Sequence, residues 1–522
     1  MGEVSRLTLS IMATITEALT IALDLHLAGK LGEAQDLYSR ILDVDPEQPD
    51  ALHFLGVLAG QIGQPEVGQP LIARALGVRP DAADIHANHA NLLRMLKRPQ
   101  AAMTAYRHAI ALRPDFAEAW VDFATVCREN GNADGAITAL NRATRSNTGL
   151  AVAQERLLLQ LHERGRLRLE SGNALAALPD LFRASELAPF NADLAFLLGN
   201  ALYATGLRRD SVSAYRLAIA LVPDFHSAAF NLGIALGKID LLERAASALR
   251  MAARIDPTHL DALDKLTITL CALNQEDEAN VWAEALLDLK NRLALADAPK
   301  KIALPAQPQD PERRNRQVIA FSLWGTDELY TKGAVANAHL TRSLFPGWEC
   351  RIYHDNSVPV PVLDELTAAG ADLVTMPPDS GPTMGPYWRF FAANDPTVTL
   401  FLCRDCDSRL SAKEVLAVEA WIRSGYPFHI MRDHVLHTEL IMAGMWGGRA
   451  GLLPDLSALA ERFARSTADR WQDQRFLRRW VWPLIRNHAL IHDRTHHRHG
   501  IAFPDGPNGP LPDRIGSRIA PP

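Results

Sequence analysis

Two carboxylates follow an apolar segment in the C-terminal half of the chain, and their types and spacing suit metal chemistry. The segment is TVTLFLCRDCDSRL, residues 397–410, in which a single residue separates Asp405 from Asp407. Carboxylate oxygens suit Mg²⁺ or Mn²⁺, and two of them on a chain leaving a strand can share one divalent cation with its bound phosphate. Asp43 and Asp45 have the same spacing but lie near a predicted helix end. Because an apolar strand precedes Asp405, we expect Asp405 and Asp407, and not Asp43 and Asp45, to form a metal site.

Short β-rich runs alternate with helical segments before this pair. The runs are VIAFSL (318–323), ECRIYHD (349–355), ADLVTM (371–376) and TVTLFLCRD (397–405). Strands that alternate with helices predict an α/β domain with a mostly parallel sheet, and such sheets bind ligands at the carboxyl ends of their strands. Asp405 stands at such an end, so we expect it at a binding site.

Proline recurs with a fixed period in the N-terminal half. The positions are Pro46, Pro80, Pro114, Pro189, Pro223 and Pro257, which are 34 residues apart except for one interval of 75. The long interval divides into a unit that ends at Thr148 and a unit lengthened by seven residues within 154–173. The period therefore predicts seven units, followed by a capping segment that keeps helical periodicity.

Small and large apolar residues keep the same phase. Alanine stands five residues before the terminators, at Ala75, Ala109, Ala143, Ala184, Ala218 and Ala252. Larger apolar residues stand eight before them, at Tyr38, Ile72, Tyr106, Leu140, Leu181, Tyr215 and Leu249. Glycine falls in the turns between helices, at Gly29, Gly63, Gly131, Gly172 and Gly206.

This pattern resembles the tetratricopeptide repeat (TPR) over about residues 15–290. The resemblance implies an α-solenoid, a TPR superhelix whose concave face binds a protein or extended peptide and does no chemistry. Four prolines between 293 and 316 predict a linker, because proline cannot continue a helix. The predicted organisation is a TPR superhelix over 1–292, a linker over 293–316 and an α/β domain over 317–522.

The α/β domain resembles GT-A-type glycosyltransferases in the order of its segments. VIAFSLWGTDELY would be the first strand and its loop, PYWRFFA the helix before the metal strand, and FLCRDCDSRL the D-x-D strand. The resemblance implies transfer of a sugar from a nucleotide sugar to a protein or glycan acceptor recruited by the repeats. A divalent metal, Mn²⁺ or Mg²⁺, would offset the charge that develops on the diphosphate leaving group.

Within this resemblance, metal and donor contacts fall on four residues. Asp407 would ligate the metal directly, and Asp405 would bind metal water or the ribose hydroxyls. His492 would be a third metal ligand, although it pairs in sequence with Asp493 where the family has a downstream Gly-x-x-Lys. Arg389 would contact the diphosphate oxygens. An ion pair with a neighbouring carboxylate is the structural alternative for Arg389.

Acceptor activation needs a carboxylate or imidazole near the attacking hydroxyl. The candidates are Asp433 with His434, and Asp473, for which a helix N-cap is the alternative. In the segment GMWGG, Trp446 would stack on a sugar face and Gly447 would allow close backbone approach to the ligand. A turn around a buried tryptophan is the alternative there.

Composition excludes several classes of protein. The chain has 522 residues and a net charge of −6, with 54 Lys and Arg against 60 Asp and Glu, so nucleic acid is not an expected partner. Five cysteines without a framework predict a reduced, cytoplasmic chain, and no apolar run is long enough for a membrane span. Two alternatives to the transferase remain: a TPR adaptor with a catalytically degenerate C-terminal domain, and a D-x-D phosphohydrolase.

Overall fold

The computed structural model describes residues 14–298, 304, 315–464, 472–507, 509, 511 and 515. Contacts divide the chain into two compact units, Met1–Pro223 and Asp224–Pro522. The division therefore comes earlier than the boundary expected from sequence. The beginning of the predicted linker is helical up to Ala296, and most of its remaining residues lie outside those described.

The first unit consists of antiparallel helix pairs. In chain order the helices are α1 (Ile15–Leu27), α2 (Leu31–Val44), α3 (Pro49–Gln61), α4 (Pro65–Val78), α5 (Ala83–Met95), α6 (Pro99–Leu112), α7 (Ala117–Glu129), α8 (Ala133–Ser146), α9 (Ala151–Glu170), α10 (Ala174–Leu187), α11 (Ala192–Ala204) and α12 (Arg208–Leu221). Helix α9 has 20 residues where α7 and α11 have 13. The seven-residue insertion therefore extends the first helix of its repeat by about two turns.

In three helix pairs of the first unit, a large apolar side chain of the second helix packs on a glycine of the first: Ile72 on Gly56, Leu181 on Gly165 and Tyr215 on Gly199. Tyr215 on α12 is 1% exposed and lies against Gly199 on α11. A methyl group added at Gly199 would lie 2.6 Å from the Tyr215 ring, and one at Gly56 would lie 2.5 Å from Ile72. The helices of these pairs therefore approach too closely for a side chain at either glycine.

The turn inside each pair has a left-handed residue. Gly29 and Gly206, for example, have φ values of 75° and 86°, as the turn glycines predicted. Asp240 and Asn274 take the same conformation in the second unit, with φ values of 62° and 57°. Two more helix pairs therefore follow residue 223, so residues 14–298 hold eight pairs, and the predicted capping segment forms the eighth.

The second unit combines these last repeats with a seven-stranded sheet. Its repeat helices are α13 (His226–Lys238), α14 (Leu242–Ile255), α15 (Leu260–Ala272) and α16 (Glu276–Ala296). Its strands are β1 (Arg316–Leu323), β2 (Trp348–His354), β3 (Asp372–Thr375), β4 (Val398–Cys403), β5 (Phe428–Arg432), β6 (Trp446–Arg449) and β7 (Ala489–Asp493). Its other helices are α17 (Glu328–Leu344), α18 (Val360–Ala368), α19 (Gly381–Trp388), α20 (Ala412–Ser424), α21 (Leu456–Ala464), α22 (Gln472–Phe476) and α23 (Trp482–Ile485), with a 3₁₀ segment at Arg389–Ala393 and a π segment at Leu477–Val481.

The sheet is mixed, with the order β3-β2-β1-β4-β6-β5-β7. Among the described strands, β6 alone runs against the others: it pairs antiparallel with both β4 and β5. The first four strands are parallel, as the alternation of strands and helices predicted. The reversed strand comes from GMWGG, which the sequence analysis treated as a loop.

Helix α16 packs against the α/β domain within this unit and forms hydrogen bonds with it. Leu287 is fully buried in the same apolar cluster as strands β1 and β4. The Lys290 ammonium group donates to the Thr438 carbonyl oxygen at 3.0 Å, and the Trp482 indole N–H donates to Asn291 Oδ1 at 2.8 Å. The last repeat and the α/β domain therefore share one core.

Candidate functional site

One cavity lies at the topological switch point of the sheet, where successive strands change from one side of β1 to the other. The chain places β2 and β3 on one side of β1 and then places β4 on the other, which leaves a crevice outside the carboxyl ends of β1 and β4. A cavity of about 560 Å³ occupies this position. Its lining residues are Ser322, Leu323, Trp324, Gly325, Thr326, Asp327, Tyr330, Pro386, Arg389, Asp405, Cys406, Asp407, Ala443, Asp473 and Gln474.

The turn after β1 forms an aromatic wall of this cavity. Trp324 packs on α19, where side chains at Gly381 and Gly385 would overlap the indole. Asp327 caps α17, accepting from the Leu329 N–H at 2.9 Å. Sequence analysis singled out none of these wall residues, although the turn WGTDELY directly after the first strand was the signal that could have found them.

The D-x-D pair also lies at this cavity. Asp405 and Asp407 both line the cavity, and the Asp405 side chain is 42% exposed. Gly444 lies directly against Asp405, since a Cβ at that position would overlap its carboxylate. The strand context that distinguished this pair from Asp43 and Asp45 therefore does place it at a cavity.

Arg389 links two carboxylates of this cavity. Its Nη2 lies 3.1 Å from Asp405 Oδ1 and 2.9 Å from Asp473 Oδ2, and the residue is 5% exposed. Burial disfavours its charge, but Asp405 and Asp473 more than offset that effect and raise the pKa of Arg389. Arg389 therefore makes the ion pairs that were the structural alternative to a diphosphate contact.

Asp473 comes from the far end of the sequence. It lies in the first turn of α22, and its Oδ1 accepts from the Gln474 N–H at 2.8 Å. Burial raises its pKa, Arg389 opposes that shift, and the nearby charge of Asp405 adds to it. A largely buried carboxylate at the cavity wall can accept a proton from a ligand bound there.

The structure does not bring Asp433 and His434 to this cavity. Asp433 is fully buried: Oδ1 pairs with Lys413 Nζ at 2.6 Å, and Oδ2 accepts from the Ile515 N–H at 2.8 Å. His434 Nδ1 accepts from the Leu436 N–H at 3.1 Å in the loop after β5. A carboxylate held in this way is unavailable to an acceptor, so Asp433 is structural in this conformation.

His492 lies in β7, the last strand of the sheet, and does not line the cavity that holds the D-x-D pair. It is 1% exposed, its Nδ1 is 2.8 Å from His429 Nε2, and its ring stacks on Phe503. Burial lowers the pKa of His492 to about 4, so the ring is neutral at pH 7. This histidine packs in the core, and the predicted three-ligand set of Asp405, Asp407 and His492 is not assembled.

Trp446 and Gly447 are the first two residues of β6, and both are buried. The Trp446 indole is fully buried, edge to face with Phe401 at 5.1 Å and with Phe390 at 5.7 Å. Gly447 pairs with Leu402 in the ladder, where a Cβ would overlap the Phe401 carbonyl oxygen. A sugar cannot reach this tryptophan, and the glycine serves strand packing, so neither contributes to the cavity.

Asp405 and Asp407 are the cavity residues that could hold a divalent cation. In the part of the chain that the structure describes, no group of three His, Cys, Asp or Glu side chains is arranged to hold a metal ion. Mg²⁺ is commonly bound through one or two carboxylates, with phosphate and water oxygens completing its shell. Asp405 and Asp407 suit that arrangement, whereas a site closed by protein ligands does not fit.

The N-terminal helices are tetratricopeptide repeats. One tetratricopeptide repeat family matches residues 93–157, and a second matches residues 55–115 and 196–259. Such repeats are modules suited to protein–protein interaction.

Several solved structures are similar over the helical part. They include Naa15/Naa10 bound to HypK-THB (15% identity, 54% of this chain and 47% of that chain, TM-score 0.39). YrrB, a TPR protein with an unusual peptide-binding site, matches at 23% identity over 37% of this chain and 95% of that chain, with a TM-score of 0.26. The TPR2AB domain of yeast Sti1 in its pHSP90 complex matches at 14% identity, over 47% and 92%, with a TM-score of 0.30. Among curated proteins, none matches.

No helix within the described residues has the length and apolar character needed to cross a bilayer.

Proposed function

We propose that this chain is a TPR protein whose α/β domain is a metal-dependent glycosyltransferase acting on a protein or glycan acceptor that the repeats recruit. One observation carries the proposal: the D-x-D pair, Arg389 and Asp473 meet at a single cavity at the switch point of the sheet. Nucleotide ligands bind at this position in open α/β sheets. The volume of about 560 Å³ falls in the usual range for small-molecule sites.

Five of the cavity residues have a role in this proposal. Asp405 and Asp407 would hold a divalent cation, which would supply positive charge to offset the negative charge of a departing nucleoside diphosphate. Asp473 accepts the proton of the acceptor hydroxyl as its oxygen bonds to the anomeric carbon and the bond to the diphosphate breaks. Arg389 pairs with both Asp405 and Asp473 and so fixes the positions of these two carboxylates relative to each other. The aromatic wall at Trp324 excludes water from the donor.

The repeats supply the acceptor in this proposal. Tetratricopeptide repeat families match residues 55–157 and 196–259, and such repeats bind proteins or extended peptides. A protein or peptide would bind the repeats of this chain and present its acceptor group to the cavity. Repeat units do no chemistry of their own, so recruitment and transfer fall on different parts of the chain.

A TPR adaptor with a non-catalytic α/β binding domain is the second candidate, and a specific observation favours it. Among the described residues that line the cavity, Arg389 is the one basic side chain, and two carboxylates already engage it. A diphosphate would therefore depend on the cation for nearly all of its charge compensation. A D-x-D phosphohydrolase would instead use Asp405 as a nucleophile.

Calorimetry with UDP- and GDP-linked sugars, with and without Mn²⁺, tests the proposal. We expect metal-dependent binding that Asp407→Ala abolishes and Asp45→Ala leaves unchanged, because Asp45 lies at the end of α2 in the repeats. Absence of binding to any nucleotide sugar would leave the adaptor. Turnover of a generic phosphoester that Asp405→Asn abolishes would identify the phosphohydrolase.

A further inference from the structure

One nitrogen of Arg389 serves two carboxylates with different surroundings. Nη2 contacts Asp405, whose side chain is 42% exposed, and Asp473, whose side chain is 15% exposed. The two contacts have nearly equal lengths, 3.1 Å and 2.9 Å. The exposed part of the Asp405 carboxylate is therefore accessible to a cation in solvent, while its Oδ1 contacts the Arg389 guanidinium group.

The backbone and side chain of Arg389 are anchored independently of these carboxylates. Its N–H donates to Ser322 Oγ at 3.0 Å, and its Nε donates to the Ala443 carbonyl oxygen at 3.3 Å. Its carbonyl oxygen accepts from the Cys403 thiol at 3.4 Å. The backbone of Arg389 is thus fixed to β1 and β4, and its Nε to the loop before β6, so the pairing of Nη2 with either carboxylate can change while these contacts stay in place.

We propose that Arg389 is a positioning residue that couples occupancy of the D-x-D pair to Asp473. Without a cation, Arg389 divides its charge between Asp405 and Asp473. A cation at Asp405 competes with Arg389 for that carboxylate, so the guanidinium group then pairs with Asp473 alone. The inference rests on the two-carboxylate cation site of the proposed function, but it does not depend on sugar transfer.

The coupling predicts opposite effects on cation affinity. Arg389→Met removes a positive charge that competes for Asp405, so Mn²⁺ should bind about three- to tenfold more tightly. Asp473→Asn removes the second partner of Arg389 and leaves its charge to Asp405, so Mn²⁺ should bind several-fold more weakly. In the double variant the Asp473→Asn effect should shrink, because Arg389 no longer transmits it.

Titration of the full chain with Mn²⁺ alone, followed by calorimetry or by the spin resonance of free Mn²⁺, measures these affinities. Asp327→Asn is the matched control, since Asp327 lines the same cavity but caps α17. Its effect should be the same in the unsubstituted chain and in the Arg389→Met background. If Arg389→Met fails to fold, Arg389→Gln supplies the second background, because its neutral amide also lacks the charge that competes for Asp405.

Equal Asp473→Asn effects in both backgrounds, or tighter Mn²⁺ binding in Asp473→Asn, would overturn the coupling. Complete absence of Mn²⁺ binding would overturn both the coupling and the metal site of the proposed function. The expected pattern of affinities without binding of any nucleotide sugar would support the coupling and refute the transferase. The two proposals therefore fail in distinguishable ways.

Discussion

The buried ion pair between Arg432 and Asp493 should contribute strongly to the stability of the α/β domain. Asp493 at the end of β7 is fully buried, and its Oδ2 accepts from Arg432 Nε on β5 at 2.6 Å. Its Oδ1 accepts from the N–H groups of Thr495 and His496 at 3.1 and 2.8 Å. Asp493→Ala leaves a 1%-exposed arginine without its partner, which should cost about 3–5 kcal/mol of unfolding free energy.

Urea unfolding followed by tryptophan fluorescence measures this cost. Arg432→Met combined with Asp493→Leu should cost much less than the two single changes together, because no uncompensated charge remains. Hydrogen bonds and the Arg432 charge outweigh burial and lower the pKa of Asp493 below its ordinary value of 3.8. Its contribution to stability is therefore complete at neutral pH and is lost as pH falls below about 4. A single-variant cost below about 1 kcal/mol would refute this account.

Two further predictions concern other buried polar groups. Tyr106→Phe removes the hydroxyl that donates to Asn91 Oδ1 at 2.6 Å, so it should lower the unfolding free energy of the repeats by about 1 kcal/mol in urea titrations followed by circular dichroism; no change would mean that water replaces the bond. His492 has a pKa of about 4 in the folded protein against an ordinary 6.5, so the unfolded chain binds more protons between these values and stability falls as pH drops through this window. His492→Gln should flatten that decline in unfolding curves taken at pH 4 to 7, and an unchanged slope would contradict the burial of a neutral imidazole.

Periodicity predicted the repeats well because each repeat depends on local contacts. The phase that places Tyr215 over Gly199 is written within a single helix pair, and the insertion in α9 keeps that phase by adding about two helical turns. The degenerate eighth pair was harder to recognise as a repeat. Asn274 replaces glycine in its turn, and Asp240 replaces glycine in the turn of the seventh pair. These residues tolerate the left-handed region, so the turn survives without its usual signature.

The cavity was predictable only in part, because its residues come from distant segments. Asp405 and Asp407 could be placed from the strand that precedes them. The burial of Trp446 and His492 depends on which strands are neighbours, and β6 inserts between β4 and β5 against chain order. Strand order follows from long-range packing, which a short motif does not record. The Gly-rich segment therefore resembled a binding loop, although part of it forms β6, an internal strand of the sheet.

The joint at α16 has a consequence for dissecting this chain. The proline-rich segment after Ala296 invites a cut that would release the α/β domain alone. Such a fragment would lose Leu287 from its core and leave the Trp482 indole without Asn291. A deletion series, or a fusion that transplants this domain to another scaffold, should therefore carry α16 along. Helix α16 belongs to the α/β domain as much as to the repeats, so a junction between the two parts should be placed before α16.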